Sequence, residues 1–371
     1  MVLQRDQLSR IKISGYKSIR ECDLELKNIN VLIGANGSGK SNFISAFSFL
    51  QSVLTKGLQL FAAQSGVNSL FYEGRKVTDQ IFFEAFFGLN SYGFELVPTD
   101  DNRLVFNKEF FGYYWKTDWQ SEIEIARGNF ESRWNIGVGN NIDQHVIPIL
   151  EKQRWRVYHF HDTGRNAKVK QEHNLSNNQA LLSDAGNLAA FLFRLKVSFQ
   201  KDYERIIQIV RLAAPFFDYF VLEPQEMNQE QIILKWKQCG SEDVFNASQF
   251  SDGTLRFICL ATLLLQPKEL RPATIIIDEP ELGLHPFAIT VLSDLIQSAA
   301  VDSQLIVSTQ SVDLLNEFDA EDVIVANRGS RGTELMRLPA ESLKVWLEDD
   351  YSLGDLWNMN LLGGRPAAEP V

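Results

Sequence analysis

The segment from residue 10 to residue 50 changes from strand-like to helix-like spacing of its apolar positions. Alternating apolar and polar residues predict two strands, RIKISGY (10–16) and CDLELKNINVLIG (22–34). The apolar run INVLI leads directly into a glycine-rich stretch. After it, residues 42–50 repeat apolar side chains at the spacing of an α-helix packed under a sheet. The pattern therefore predicts a strand, a glycine-rich loop and a helix in that order.

The middle of the chain has a different pattern. Residues 78–160 are rich in aromatic side chains, and turn signals such as PTDDN interrupt them, which predicts antiparallel sheet. From Leu181 to Leu212 the apolar spacing is helical, and Pro215 is expected to end that helix. Two further strands are predicted, around Phe220 and at 232–236. The chain thus combines strands and helices in one α/β pattern.

The glycine-rich stretch GANGSGKS (34–41) fits G-x-x-x-x-G-K-S, the phosphate-binding loop that links a strand to a helix. Glycine lets the backbone approach phosphate oxygens, and the helix dipole favours an anion. Lys40 is expected to contact the β- and γ-phosphates, and Ser41 to offer its hydroxyl to Mg²⁺. The candidate nucleotide-binding residues here are Gly34, Asn36, Gly37, Ser38, Gly39, Lys40, Ser41 and Asn42.

A second candidate site lies in ATIIIDEPELGLHP (273–286), where an apolar strand delivers Asp278 and Glu279 at its end. Asp278 is expected to hold the Mg²⁺ shell opposite Ser41. Glu279 is expected to accept a proton from, or to orient, the water that attacks the γ-phosphate. Lys40 and Asp278 are much farther apart than a minimal βαβ nucleotide fold requires. A large insertion between the two motifs is therefore predicted.

Further motifs resemble those of ABC-type ATPases, and within them the RecF/SMC-like AAA group. FSDGT (250–254) resembles the signature motif, in the variant with Asp-Gly-Thr instead of Gly-Gly-Gln. ISGYKSIRECDLEL resembles the group's opening strands, and LGDLWNMNLLGGRP resembles its C-terminal ending. The resemblance spans most of the chain. It implies an α/β fold: a P-loop NTPase head of ABC type with an antiparallel β subdomain and a helical lobe.

The resemblance also implies a single ATPase head over residues 1–371. Lobe I, with the phosphate loop and the β subdomain, is expected at 1–60 and 78–162. A helical and strand region is expected to be inserted at 163–240. Lobe II, with the signature, the acid pair and the final switch segment, is expected at 241–371.

In proteins of this group the signature helix caps ATP that a second subunit holds. The resemblance therefore implies Ser251 and Gly253 as nucleotide contacts across an ATP-dependent homodimer or higher assembly. Gln310 stands where the switch histidine usually lies. It can donate a hydrogen bond to the γ-phosphate but cannot carry a proton, so slow hydrolysis is expected. The catalytic candidates are Glu279, Gln310 and Lys40.

Two positions keep two interpretations each, and one role stays unassigned. His285, in the segment that matches the D-loop, is either a nucleotide contact across the dimer or an ordinary helix-start histidine. Lys17 either touches phosphate, by analogy with the family, or faces solvent. No glutamine is assigned to bridge Mg²⁺ and the neighbouring lobe, for which Gln80 is only a weak candidate.

Charge limits the partners that the chain can have. With 47 acidic and 36 basic residues the net charge is −11, which argues against a surface coated with phosphate-binding charge. The polar segment TGRNAKVKQEHNLSNNQ (163–179) is predicted to be a mobile loop, and it carries Arg165, Lys168 and Lys170. This segment is the concentrated candidate for DNA contacts, and a solvated loop is the alternative.

The sequence thus predicts an ATPase that uses ATP and Mg²⁺ as a switch, associated with DNA in genome maintenance or anti-phage defence. The alternative is an ATP-gated scaffold that binds and regulates a separately encoded effector, a nuclease or a toxin, without contacting DNA. The three cysteines are far apart and are expected to be reduced. No signal pattern or membrane-length apolar run is visible, so a cytoplasmic address and no membrane partner are expected.

Overall fold

The computed structural model describes residues 7–115, 119–136, 139, 143–152, 155–339, 341, 343–344, 346 and 351–363. The chain forms two compact units. Unit 1 comprises Met1–Val157, Ala273–Ile276 and Asp319–Val371, and unit 2 comprises Tyr158–Pro272 and Ile277–Phe318.

The α-helices of the described residues are α1 (Lys40–Leu54), α2 (Leu58–Ser65), α3 (Val67–Leu70), α4 (Asp143–Lys152), α5 (Leu188–Ser198), α6 (Gln200–Ala213), α7 (Asp252–Leu265), α8 (Pro286–Ala299), α9 (Val312–Leu315) and α10 (Leu353–Asn358). The strands are β1 (Arg10–Tyr16), β2 (Ile19–Glu25), β3 (Ile29–Ile33), β4 (Ile81–Phe87), β5 (Asn90–Pro98), β6 (Leu104–Trp115), β7 (Trp119–Ala126), β8 (Trp155–Tyr158), β9 (His173–Asn174), β10 (Phe217–Val221), β11 (Pro224–Gln225), β12 (Asn228–Ile232), β13 (Lys235–Gln238), β14 (Val244–Asn246), β15 (Thr274–Asp278), β16 (Gln304–Thr309), β17 (Val323–Gly329) and β18 (Gly332–Arg337).

Unit 1 contains a six-stranded antiparallel sheet with the strand order β2-β1-β4-β5-β6-β7. Its inner face is aromatic: the rings of Phe83 and Phe94 stack with centroids 5.4 Å apart, and Phe49 of α1 packs on both. Such pairs add to the stabilisation from burial alone. The antiparallel sheet predicted from the aromatic segment is confirmed for β4 to β7.

The prediction for that segment is wrong at 143–152, where the chain forms helix α4 before strand β8. Val146, Ile149 and Leu150 are buried there at helical spacing. Three apolar side chains at this spacing lie on one face of a helix. A buried strand face would instead need them at every second residue. The aromatic content of the neighbouring sequence concealed this change of period.

The second predicted strand, 22–34, is two strands in the structure. The side chain of Asn30 accepts a hydrogen bond from the Lys27 backbone N–H at 2.9 Å and donates one to the Lys27 carbonyl at 2.7 Å, which closes a turn between β2 and β3. Asparagine commonly takes over backbone bonds in this way. Strand β3 then pairs in parallel with β17, and β17 pairs antiparallel with β18.

Unit 2 is richer in helices, and α7 is buried along most of its length. The helical segment predicted from Leu181 begins only at Leu188. Asn187 uses its side chain to bond the Leu182 N–H and the carbonyls of Asn177 and Ala180, which holds the preceding residues in a loop. The helix is interrupted at Phe199 and ends at Ala213, in agreement with the break expected at Pro215.

Two small antiparallel sheets complete unit 2, with the orders β10-β13-β14 and β11-β12-β9. The strand expected around Phe220 is present as β10, whereas the one expected at 232–236 is the end of β12 and the start of β13. The three cysteines are free thiols. Among the described helices, none has the length and apolarity needed to cross a membrane.

Candidate functional site

The phosphate loop lies between the buried strand β3 and the first turn of α1, as the sequence predicts. Gly37 and Gly39 have φ angles of 79° and 106°, in the left-handed region that favours glycine. A Cβ atom on Gly39 would lie 1.9 Å from the Thr333 hydroxyl oxygen, and one on Gly34 would lie 2.5 Å from the Ala326 carbonyl oxygen. Close packing therefore requires glycine at both positions.

The start of α1 is suited to bind an anion. Its first turn contains no acidic residue, and no side chain caps it. The helix dipole and the first backbone N–H groups then favour a bound phosphate. The buried ammonium of Lys40 donates to the carbonyls of Gly34, at 2.6 Å, and Ala35, at 3.2 Å, while the Ser41 side chain is exposed. Lys40 therefore lies folded against the loop, and it is expected to contact the phosphates of a nucleotide bound there.

Thr333 of β18 fixes the phosphate loop, and the sequence analysis did not identify it. Its hydroxyl donates to the Ser38 carbonyl at 3.0 Å and lies 2.7 Å from the Ser18 hydroxyl. The amide of Asn42 in turn donates to Ser18 at 2.6 Å. Thr333 and Ser38 are 295 positions apart, so no local pattern could have shown this contact.

Lys17 is not simply a solvent-facing lysine. Its ammonium donates to the Ser45 hydroxyl at 2.9 Å, and burial lowers the pKa of Lys17. It lines a cavity of about 660 Å³ in unit 1 together with Asn42, Tyr72 and Arg328. Gln80 is exposed and does not line this cavity. The volume lies within the range of small-molecule sites, about 300–1,000 Å³.

The acid pair of unit 2 lies at the end of β15, as predicted. Glu279 has a φ of 44°, a left-handed conformation that costs a non-glycine residue about 1–3 kcal/mol, and such strain is concentrated at functional sites. Its N–H donates to the Ser308 carbonyl at 2.8 Å. The side-chain amide of Gln310 donates to the Glu279 carboxylate. The structure therefore brings together two of the three catalytic candidates.

Glu281 is a further buried acid that the sequence analysis missed. Its carboxylate accepts hydrogen bonds from the Thr309 hydroxyl at 2.6 Å and from the Gln310 N–H at 3.1 Å. Burial raises the pKa of Glu281. The contacts fix the backbone that presents the Gln310 side chain. A third acid in the sequence DEPE was the available signal.

Asp278 carries an unsatisfied oxygen. Its Oδ1 atom is buried and has no hydrogen-bond partner among the described residues, while Oδ2 lies 3.8 Å from His159 Nδ1. A buried carboxylate oxygen without a donor suits a divalent cation, so this residue fits the Mg²⁺ role expected of it. His161 lies beside His159, with ring centroids 6.1 Å apart, and burial lowers the pKa of His159. The spacing H-F-H was the available signal in the sequence.

The signature segment forms the start of α7. The exposed Ser251 caps the helix by accepting a bond from the Thr254 N–H at 3.1 Å. A Cβ atom on Gly253 would lie 2.1 Å from the Gly283 carbonyl oxygen, so this glycine permits the close approach of two segments of unit 2. His285 caps α8, where its Nδ1 accepts from the Phe287 N–H at 3.3 Å, which is the ordinary role considered for it.

The basic segment 163–179 uses its lysines for internal contacts. Lys168 pairs with Asp184 at 2.8 Å. The side chain of Lys170 is only 8% exposed, donates to the Thr163 carbonyl and lies 3.6 Å from Asp252. The segment contains a short 3-10 helix and strand β9. Two of the three cations expected to face DNA therefore have acidic partners within unit 2.

Comparison with protein families matches residues 29–316 to AAA_21, described as "AAA domain, putative AbiEii toxin, Type IV TA system". This range covers more than half of the chain and includes the phosphate loop, the signature segment, the acid pair and Gln310. No curated protein matches the sequence.

Solved SMC head domains share the fold. One, crystallised bound to the C-winged helix domain of ScpA, gives a TM-score of 0.62 at 17% identity over 90% of this chain and 99% of that chain. Another, from Pyrococcus furiosus, is a head domain with an extended coiled coil, crystallised bound to the C-terminal domain of ScpA. It gives a TM-score of 0.53 at 16% identity over 93% of this chain and 99% of that chain. The predicted α/β P-loop NTPase head is confirmed.

Proposed function

We propose that this chain, which belongs to the AAA_21 family of AAA domains, is an ATP-binding and ATP-hydrolysing switch that closes as a homodimer around its nucleotide. The observation that carries the proposal is the phosphate loop of unit 1. It combines glycines in left-handed conformations, a helix start without a side-chain cap and a lysine folded against the loop. This combination is suited to a nucleoside triphosphate.

In unit 1, Lys40 exchanges its two loop carbonyls for oxygens of the β- and γ-phosphates. The exchange replaces neutral acceptors with charged ones, which make stronger hydrogen bonds. Ser41 is exposed at the helix start and offers its hydroxyl to Mg²⁺. The cavity beside Lys17 and Tyr72 has the size to accept the nucleoside part.

In unit 2, the side chains divide the chemistry between them. Asp278 offers its unsatisfied oxygen to Mg²⁺, which when bound neutralises charge on the phosphates. Glu279 takes the proton of the attacking water. Gln310 holds the Glu279 carboxylate in place through its side-chain amide. Because Gln310 cannot carry a proton, hydrolysis is slow and acts as a timer.

The signature segment supplies the argument for a homodimer. Ser251 is exposed at the start of α7, a helix long enough to carry a full dipole, and Gly253 keeps this end closely packed. The start of α7 is a weaker anion site than the phosphate loop, because Ser251 caps it and Asp252 lies in its first turn, but its dipole still favours an anion. In the proposed dimer it binds the γ-phosphate that the opposite protomer holds, so two ATP molecules are buried between two copies.

Sedimentation of a hydrolysis-deficient variant tests this function. The variant Glu279→Gln keeps the hydrogen-bonding shape and loses the base, so ATP is expected to convert it from monomer to dimer in analytical ultracentrifugation. The variant Lys40→Ala is the control, and is expected to remain monomeric. If Glu279→Gln binds ATP and still sediments as a monomer at every ATP concentration, the dimer is wrong.

For the biological role, the first candidate is a cytoplasmic, DNA-associated switch in genome maintenance or anti-phage defence. The second is a scaffold that holds a separate effector, a nuclease or toxin, and releases it when ATP is hydrolysed. Two observations favour the second candidate. The net charge is −11, and both Lys168 and Lys170 have acidic partners. The family description also names a toxin system, and the SMC head relatives bind another protein.

ATPase rates separate the two roles. Duplex DNA added to the purified protein is expected to leave the rate unchanged if the chain is a scaffold, and to raise it if DNA is the partner. Reversal of charge at Arg165, Lys168 and Lys170 serves as the second arm. If DNA binds and its salt dependence falls in the triple variant, the segment contacts phosphates and the scaffold is wrong.

A further inference from the structure

The imidazoles of His159 and His161 place two nitrogen donors beside Asp278, and the proposed ATPase does not use them. We propose that His159, His161 and Asp278 form a site for a divalent first-row transition metal, for which Mg²⁺ is a poor substitute. This inference rests on the proposed function, because both assign a cation to Asp278: the Oδ2 atom faces His159, and the Oδ1 atom is the one proposed for Mg²⁺. It concerns unit 2 alone.

The local backbone puts both imidazoles on one side of the chain. Strand β8 ends at Tyr158, directly before the two histidines. Their rings lie side by side, with centroids 6.1 Å apart, and both have a nitrogen atom near the Asp278 carboxylate. The residue between them, Phe160, is buried and anchors the segment. The His159 N–H is also fixed, by a 3.0 Å bond to the Ser183 carbonyl.

Arg256 of the signature helix α7 holds the same segment from one side. Its Nε atom donates to the Phe160 carbonyl at 2.9 Å, and its Nη2 atom donates to the His161 carbonyl at 3.2 Å. The guanidinium group is buried, so these bonds are shielded from water. Three hydrogen bonds therefore fix the backbone that carries the two imidazoles.

The distances suit a shared ion better than a direct bond. His159 Nδ1 and Asp278 Oδ2 are 3.8 Å apart, too far for a hydrogen bond. One ligand atom from each of the three side chains lies within 4.8 Å of the other two. Two ligand atoms that each lie about 2.1 Å from a common metal are about 3.0–4.2 Å apart. Small rotations of the side chains therefore bring the three into coordination.

The side chains of the cluster differ in their exposure to solvent. The Asp278 side chain is 14% exposed and that of His159 is 48% exposed. The carboxylate of the cluster is thus mostly buried, and the His159 imidazole is accessible to solvent. An open side leaves coordination positions for water or a phosphate oxygen.

The donor set decides which metals fit. Imidazole nitrogens suit Zn²⁺, Fe²⁺, Co²⁺ and Ni²⁺, whereas Mg²⁺ prefers oxygen ligands and keeps its water. Two imidazoles and one carboxylate with open positions match the donor set of mononuclear transition-metal sites. The site is expected to select a transition-metal dication over Mg²⁺ by affinity.

Titration with Co²⁺ in the absence of nucleotide tests the site on the full chain. The wild type is expected to bind one Co²⁺ with a visible absorption band, and a 100-fold excess of Mg²⁺ is expected not to displace it. The double variant H159N/H161N is expected to lose at least tenfold in affinity. The variant H145N, at an exposed histidine of α4, is the control and is expected to behave as the wild type. Equal Co²⁺ affinity in the double variant, or displacement by equimolar Mg²⁺, overturns the proposal.

A measurement on the unmodified chain guards against variants that do not fold. X-ray absorption of the Co²⁺ complex is expected to show scattering from two imidazole rings, and its absence overturns the proposal. Failure here is distinct from failure of the ATPase. If ATP is bound and hydrolysed but Co²⁺ is not bound, only the metal site is wrong. If Co²⁺ is bound at the histidines but ATP is not hydrolysed, only the proposed function is wrong.

Discussion

The phosphate loop of unit 1 and the acid segment of unit 2 are built for ligands in different ways. The loop offers backbone groups at the start of α1 and contains a single charged side chain, Lys40. The acid segment offers carboxylates and an amide at the ends of β15 and β16, with buried oxygens and a strained backbone. The phosphate loop depends on backbone conformation, so added side-chain atoms are expected to disturb it. The acid segment depends on charge, so protonation and bound metals are expected to affect it.

The largest expected effect tests the charge-based region. Glu279→Gln is expected to lower the ATP hydrolysis rate by about 10²–10⁴-fold, because the water loses its base, with ATP affinity kept. Single-turnover hydrolysis and nucleotide titration measure the two quantities. Glu269→Gln, at an exposed acid of unit 2, is the matched control. A hydrolysis rate like that of the wild type would show that Glu279 is not the base.

The next effect concerns the charge of the loop region. Lys40→Ala is expected to weaken ATP binding by about 100-fold, since two charge-assisted bonds to phosphate are lost. Isothermal titration with a nonhydrolysable analogue measures the affinity. Lys76→Ala removes an exposed lysine of the same unit and is expected to bind normally. Comparable losses in both variants would contradict the assignment.

A pair of glycine substitutions tests the conformational character of the loop. Gly37 and Gly39 are both left-handed, but only at Gly39 does an added Cβ meet another residue, Thr333. Gly37→Ala is expected to cost about 1–2 kcal/mol from its backbone alone. Gly39→Ala is expected to cost about 1–3 kcal/mol more, from overpacking. Urea unfolding measures both, and equal costs would show that Thr333 moves aside freely.

The smallest effect is a pH dependence of stability that comes from Glu281. Because burial raises the folded-state pKa of Glu281 above its unfolded value, the folded state binds more protons in the window between the two. Its contribution to the unfolding free energy therefore falls as pH rises through that window. Glu281→Gln removes the titration, so its stability relative to the wild type is expected to increase between pH 4.5 and pH 8.

Urea unfolding of both proteins at those two pH values measures the difference between their unfolding free energies. Titrating groups that the two proteins share cancel in that difference. Glu269→Gln is again the control, and is expected to keep the pH dependence of the wild type. If Glu281→Gln follows the same pH profile as the wild type, Glu281 does not titrate in this window.

Local order along the chain explains what the sequence could predict. A strand, a glycine loop and a helix are consecutive, and so are the strand and the acids Asp278 and Glu279, so the local structure of both regions was predictable. The antiparallel sheet was predictable because aromatic-rich runs, interrupted by turn signals, continue through β4 to β6. The turn at Asn30 was not, because its side chain replaces backbone bonds within an otherwise strand-like run.

Tertiary contacts explain what the sequence analysis missed. Thr333 reaches the loop from a distant strand, and nothing in its neighbourhood marks it. Glu281 acts through its burial, which only packing reveals. His159 and His161 had a visible spacing, but their importance depends on Asp278, more than a hundred residues later. Motifs that are complete in the local sequence were predictable, whereas residues whose role depends on a neighbour in space were not.

Because Thr333 lies so close to Gly39, the residue types allowed at these two distant positions depend on each other. A larger residue at 39 needs a smaller one at 333, and a bulkier residue at 333 pushes against the phosphate loop. Related chains should therefore vary at these two sites in concert. A homologue that has lost the glycine is expected to carry its compensation on the strand near the other terminus.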